Sequence, residues 1–490
     1  MLKVRFLFSC TLIFFIFLVI ILYCFCETKD EFIYIKVLNS DDYIYLQKNK
    51  SDPKDLVLQF EEEYNKNINY GEKKIKVIYD TYDTPENAFN ILSKGNVLYD
   101  LVCVSEYIVQ KMANMGLLEQ VDKKKVPNYF DYNNENHCST FIEKQLKNII
   151  LNNKKTLFDY SLCYMWGTLG FIINLSHYFF KKNNMIFNEV INDIHDLDTI
   201  FESDKYNNAV TVKNSVRDLY AIGAIKTFNK EIQKAKSTRE KNSIFNRGNS
   251  EDVNAKKHIL EVYNSLLKFK KNIRGFEIDN GKEDIVNNKI PICLTWSGDA
   301  LYSIQKAKKE KKIDLIYSIP FQGTNMWFDN WVIPKKSNKE LAYKFLNFIF
   351  NHKHVIENMQ YTGFTSSIIG KDIFNFFKNK YEKKDGDYLY DVTYFFKKDE
   401  NDVKKYEINI FEKDRHNLIS AQFVEENDIN NLMIMRDFEK NNELLMDMFN
   451  EFKNDNLPIH GFILFFFEIF IFLFFLIKNK FKNKTHFMIK

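Results

Sequence analysis

The chain has 490 residues and a formal net charge of +4, with 69 basic and 65 acidic side chains interspersed along it. That length exceeds what one simple core encloses and predicts two globular units. The small, evenly spread charge leaves no basic patch for nucleic acid, so no nucleic-acid partner is expected. The 47 Phe and 27 Tyr accompany heavy use of Lys, Asn and Ile, a compositional bias that says little about function. Trp166, Trp296, Trp327 and Trp331, the four tryptophans, stand outside that bias.

Both ends are apolar. Lys3 and Arg5 precede an uncharged stretch at 6–26, the pattern of a secretory signal or signal anchor over residues 1–29. Residues 462–477 are almost wholly Phe, Ile and Leu, broken by Glu468, and a lysine-rich tail at 478–490 follows. This predicts a membrane span over 459–477 with a basic cytoplasmic tail, the other reading being a buried hydrophobic helix. With both ends inside, residues 30–455 face away from the cytosol. Cys103, Cys138, Cys163 and Cys293 are scattered without a CxxC pair and show no disulfide framework. Cys103 and Cys293, each in an apolar run, read as small buried hydrophobes. Asn49 and Asn174 open glycosylation sequons, the second too close to a strand end to be used.

Between the ends, strand and helix signals alternate, which predicts an α/β architecture. Residues 76–81 (KVIYDT) read as a strand, and Thr84-Pro85 opens a helix with Thr as N-cap and Pro at its first position. Residues 100–104 (DLVCV) form an apolar strand buried on both faces, Ser105 an N-cap, and Gly116 a helix end. Residues 291–295 (PICLT) repeat the theme, leading through Ser297-Gly298 into a helix at 299–309. A capping box, Ser337 to Glu340, precedes an apolar-periodic helix at 341–350. Residues 132–156, 229–257 and 380–405 are polar and read as surface insertions, the second as disordered.

No GxxxxGK[ST], strand-linked GxGxxG, HExxH or GxSxG pattern occurs, so no enzyme chemistry, cofactor or metal site is expected. What stands out is Trp296, and Trp327 with Asp329, each just past a strand end. An indole face and a carboxylate both attract a cation, and Asp329 has no cationic neighbour in sequence.

Read in order, seven segments resemble the bacterial periplasmic spermidine/putrescine-binding proteins, the type II solute-binding proteins of ABC importers. They are residues 76–82, 99–107 and 116–122; Tyr164-Met-Trp-Gly167 with 170–174; Trp296-Ser-Gly298; Met326-Trp-Phe-Asp329 with 332–334; and Thr362-Gly-Phe364. The resemblance implies a two-lobed fold with a ligand cleft between lobes. Lobe 1 takes 30–163 and 329–375, and lobe 2 takes 164–328 and 376–455, the chain crossing near Tyr164 and returning near Asp329. It further implies polyamine binding by Asp42, Tyr43, Ser105, Tyr107, Asp218, Trp296, Trp327, Asp329 and Phe364, with an importer permease as partner. Three positions depart from the family. Ser40 replaces a tryptophan, Ser215 stands where an acid is expected, and Phe364 replaces a tyrosine. The weaker cage leaves a second reading, a surface receptor on a degenerate solute-binding fold.

Overall fold

In the computed structural model, the described residues are 32–454, apart from 48–53, 67–72, 96, 134, 250–252 and 278–279. The signal, the membrane span and the basic tail read from the two ends, and Asn49, all lie outside them. Among the described residues no helix is long and apolar enough to cross a membrane.

The first lobe opens with parallel strands β1 (Phe32–Ser40) and β2 (Lys74–Tyr82), joined through helix α1 (Leu56–Lys66). Helix α2 (Pro85–Lys94) begins as the sequence predicts, the Thr84 side chain accepting the Asn87 amide. Strand β3 (Leu101–Ser105) is apolar on both faces, and its first four residues are buried. Helix α3 (Glu106–Asn114) follows with no linker. The chain then enters β4 (Ser161–Ile173), a 13-residue strand buried along its whole length.

The second lobe is built from β5 (Val210–Lys213), α4 (Val216–Lys234), α5 (Thr238–Phe245), α6 (Ala255–Phe269), β6 (Ile273–Glu277), β7 (Ile292–Trp296), α7 (Ser297–Lys306) and β8 (Ile316–Ser318). Strand β9 (Thr324–Val332) leads back, and helices α8 (Lys339–Ile349) and α9 (His352–Thr362) pack on the first lobe. One sheet runs through both lobes in the order β2-β1-β3-β9-β4-β7-β5-β6. Strands β4 and β9 are antiparallel neighbours at its middle, and they carry the sheet from one core to the other. Their register slips between Asp329 and Asn330: Asp329 faces Met165, Asn330 faces Cys163, and Tyr164 is left over as a bulge.

Two main hydrophobic cores define the lobes. The first contains residues up to Trp166 and resumes at Met326; the second begins at Leu169. This is the expected two-lobed α/β fold. Four sequence expectations need correction. Residues 376–432 were assigned to lobe 2, yet Phe377, Tyr390, Phe395, Ile408 and Phe423 belong to the first core. Their aromatic rings hold them there: Phe395 stacks on Trp166 at 5.2 Å, and Phe377 meets Phe423 edge-on at 4.9 Å. Ala421 packs with Ile172, Cys293 and Tyr317 in a third cluster, and Met433 and Met435 belong to the second core.

Residues 229–257, expected to be disordered, carry the end of α4, all of α5 and the start of α6. Ile232, Ile244 and Phe245 supply the buried side chains that a disordered segment lacks. Residues 132–156, expected to lie on the surface, do so only in part, because a helix at Thr140–Lys147 buries Ile142 and Leu146 completely. Finally, the expected capping box does not form. Asn338, not Ser337, is the N-cap of α8, and its side chain accepts the Leu341 amide at 3.4 Å. The Cys103 and Cys293 reading holds, since both are free and buried. Asn174 is fully buried and its amide nitrogen donates to Ile285 O, which removes it as a glycan acceptor.

Candidate functional site

Trp327 and Asp329, expected just past a strand end, lie instead inside β9, which at Asp329 is paired on both sides, whereas Trp296 is the last residue of β7. On β9, Asp329 lies opposite Ser105, the last residue of β3. The Ser105 hydroxyl donates to Asp329 Oδ1 at 2.6 Å, and the Tyr43 hydroxyl donates to Oδ2 at 2.5 Å. Ser105 therefore spends its hydroxyl on the carboxylate and makes no side-chain cap to α3. Burial pushes the Asp329 carboxyl above its ordinary range, while the two hydroxyls pull it back down. Among the described residues no Lys or Arg pairs with it. A partly exposed carboxylate without a paired cation favours one.

Aromatic rings wall this carboxylate. Phe364 lies 5.7 Å from the Trp327 ring and 5.0 Å from Tyr43, both edge-on. The Trp327 Nε1 is buried and finds no acceptor among the described residues. Two glycines make the packing feasible. A Cβ on Gly298 would fall 2.2 Å from the Phe364 ring, and one on Gly167 would fall 2.3 Å from Ser297 Oγ and 2.5 Å from the Trp327 ring. No side chain fits at either position without moving the wall.

The second lobe supplies Trp296 at the end of β7 and Asp218 in the first turn of α4. Asp218 is buried, and its Oδ2 accepts the Trp296 Nε1 at 3.1 Å. Burial raises its pKa, opposed by the Ser215 hydroxyl, Lys213, the Trp296 indole and Arg217. Ser215, standing where an acid was expected, is the N-cap of α4. Tyr107 is buried, and its hydroxyl donates to Glu86 Oε1 at 2.7 Å. Asp42 joins none of these bonds; it is exposed, at φ 54°, and only its neighbour Tyr43 turns into the cluster. Trp166 and Trp331 are fully buried, in keeping with a structural role.

Sequence reasoning missed three charged residues. Lys213, at the end of β5, is 2% exposed, and its Nζ lies 4.6 Å from the centre of the Trp296 ring. It pairs with Asp299 Oδ2 at 2.8 Å and Glu277 Oε1 at 3.1 Å. The Arg217 guanidinium covers the Tyr107 ring at 3.6 Å. Glu106, inside the quoted Ser105–Tyr107 segment, is buried and accepts the Phe328 amide at 2.9 Å. Burial raises its pKa to about 7 against the pull of Arg217. Asp299 directly follows Trp296-Ser-Gly298, but no sequence pattern announces that Lys213 reaches it.

Apart from the cleft, a cavity of about 220 Å³ lies between the end of β8 and residues 390–428, with His195, Phe321, Arg415, His416, Glu425 and Asp428 among its lining. Among the described residues no group of His, Cys, Asp and Glu is placed to hold a metal ion.

Comparison with known proteins agrees with this geometry. The sequence profile of the family described as bacterial extracellular solute-binding protein matches residues 56–369. The chain is 25% identical over 295 residues to the spermidine/putrescine-binding periplasmic protein of Escherichia coli, covering 59% of this chain and 70% of that one. It is 25% identical over 280 residues to a putrescine-binding periplasmic protein of the same organism, covering 57% and 67%. Among solved structures, a spermidine/putrescine ABC transporter substrate-binding protein from Streptococcus pneumoniae superposes with a TM-score of 0.55 at 23% identity. That match covers 86% of this chain and 98% of the other. These matches lead to one assignment: the chain belongs to the bacterial extracellular solute-binding proteins, a family that binds solutes and is not a family of enzymes.

Proposed function

We propose that this solute-binding protein captures a polyamine of the spermidine/putrescine class outside the cytosol, by closure of its two lobes, for delivery to a permease. In this reading the apolar ends hold it to a membrane. The observation that carries the proposal is Asp329, a carboxylate held by two hydroxyls, walled by Trp327, Phe364 and Tyr43, and without a resident cation among the described residues. An ammonium entering there gains a charge-assisted hydrogen bond, and its methylenes gain the aromatic wall. The two Escherichia coli relatives, a spermidine/putrescine-binding and a putrescine-binding protein, support the same ligand class. Calorimetric titration of the full-length chain with spermidine and putrescine tests it. Binding at micromolar concentration supports the reading, and absence of heat up to millimolar concentration ends it.

One observation favours the second reading, a receptor on a degenerate cleft. Lys213 and Arg217 already cover the Trp296 and Tyr107 faces that a polyamine would use. Absence of amine binding, together with absence of a cognate permease from the same genome, would favour that reading.

A further inference from the structure

Lys213 is a primary ammonium buried at the carboxyl end of a parallel strand, where ligands of open α/β sheets gather. Burial alone would drive it to shed its proton, but Asp299 and Glu277 outweigh burial and raise its pKa, so it stays charged. An ammonium lying against an indole face and paired with two carboxylates is the arrangement that a buried amine nitrogen of a ligand requires. Here the protein's own side chain fills it. The same happens at Tyr107, where Arg217 lies on the ring and its Nη2 donates to Met435 O and Arg436 O at 3.1 Å each. Asp218 feels both cations, while Asp329 feels neither as a leading influence.

We propose that Lys213 is a specificity-determining residue. Its ammonium occupies the seat at Trp296, Asp299 and Glu277 that an additional ligand nitrogen would take. The cleft therefore selects a short diamine, anchored by one ammonium at Asp329, over a longer triamine. Like charge at close range excludes a further ammonium as long as Lys213 is present. This inference rests on the amine reading above.

The test is calorimetric titration of the full-length chain and of Lys213→Ala, each with 1,4-diaminobutane and with spermidine. The wild-type chain should bind the diamine at least tenfold more tightly than the triamine. Lys213→Ala should narrow or invert that ratio by tenfold or more, mainly through tighter triamine binding, because the vacated seat keeps its indole and both carboxylates. Should Lys213→Ala not fold, the double variant Lys213→Ala/Glu277→Gln removes the ammonium together with one carboxylate and is expected to move the ratio in the same direction. Equal or tighter wild-type binding of the triamine overturns the inference, as does a ratio unchanged in every folded variant. If no amine binds the wild-type chain, the amine reading itself falls and takes this inference with it. Amine binding with the wrong ratio defeats the role of Lys213 alone.

Discussion

Tyr43 and Asp329 are 286 residues apart in the chain and joined by a hydrogen bond of 2.5 Å. Together with Ser105 they bring three separate stretches of sequence to a single carboxylate. Its environment gives the first prediction. Asp329→Asn should weaken amine binding about 30-fold or more, since losing one partner of a desolvated charge pair costs roughly 2–5 kcal/mol. Asp42→Asn, at an exposed position, should cost less than about fivefold. Calorimetry on both variants checks the order. Equal and negligible effects would remove Asp329 from the site.

The raised pKa of Asp329 adds a pH signature. A bound cation favours the charged carboxylate, so binding must expel any proton held there. Affinity should fall as pH is lowered into the titration range of Asp329. In Asp329→Asn that contribution should vanish. Titrations in buffers of different ionisation enthalpy, which report proton release directly, decide it.

Glu106 makes a prediction about stability. Its pKa is raised from 4.5 to about 7, so the folded state holds a proton that the unfolded state releases between those values. The sign follows: this group lowers stability as pH rises from about 4.5 to 7, and its effect is constant above that. Glu106→Gln can still accept the Phe328 amide without carrying charge. It should gain stability over wild type above pH 7, by at most about 3 kcal/mol for the shift from 4.5 to about 7. The gain should shrink toward zero at pH 4.5. Urea unfolding of both proteins across that range measures it, and a difference that does not vary with pH refutes the prediction.

Gly298→Ala places a methyl 2.2 Å from the Phe364 ring. Phe364 is wedged between Trp327 and Tyr43, so the ring cannot yield without opening the wall. A loss of roughly 1–3 kcal/mol in stability is expected, as for other overpacked sites. Amine affinity should fall alongside it. Thermal melts with and without ligand separate the two effects.

The tryptophans provide an optical test. Trp166 and Trp331 are sealed in the first core, whereas Trp296 and Trp327 are partly exposed at the cleft. Ligand binding should change the emission of the second pair only. The change should therefore disappear in Trp296→Phe/Trp327→Phe and persist in Trp331→Phe.

Much of this architecture is legible in the chain because local signals and long-range roles coincide. The apolar run around Cys103 needs burial on both faces, and Thr84-Pro85 starts a helix wherever it is placed. The Trp327–Asp329 pair stands out for the same reason, being two residues apart with no cationic neighbour in sequence. Lys213 does not, because its partners Glu277 and Asp299 lie on separate elements that only the sheet order brings together. The allegiance of residues 376–432 was hidden for a related reason. Phenylalanine is so abundant here that Phe395 carries no mark of its stack on Trp166. The supposed disorder of 229–257 came from counting lysines without weighing Ile232, Ile244 and Phe245.

The bulge at Tyr164 ties these observations to time as well as to structure. The strands β4 and β9 slip register beside Asp329, at the place where they pass from one lobe to the other. The displaced Tyr164 hydroxyl donates to Tyr43 O at 3.1 Å and accepts from the Asn358 amide at 2.7 Å, clamping the backbone of the residue that holds Asp329. In the closure proposed above, the carboxylate offered to the ligand would therefore sit beside the irregularity in the two crossing strands. On that reading dwell time and lobe angle would form a single coordinate, and a change that loosens the Tyr164 clamp should shorten residence before it alters the rate of capture.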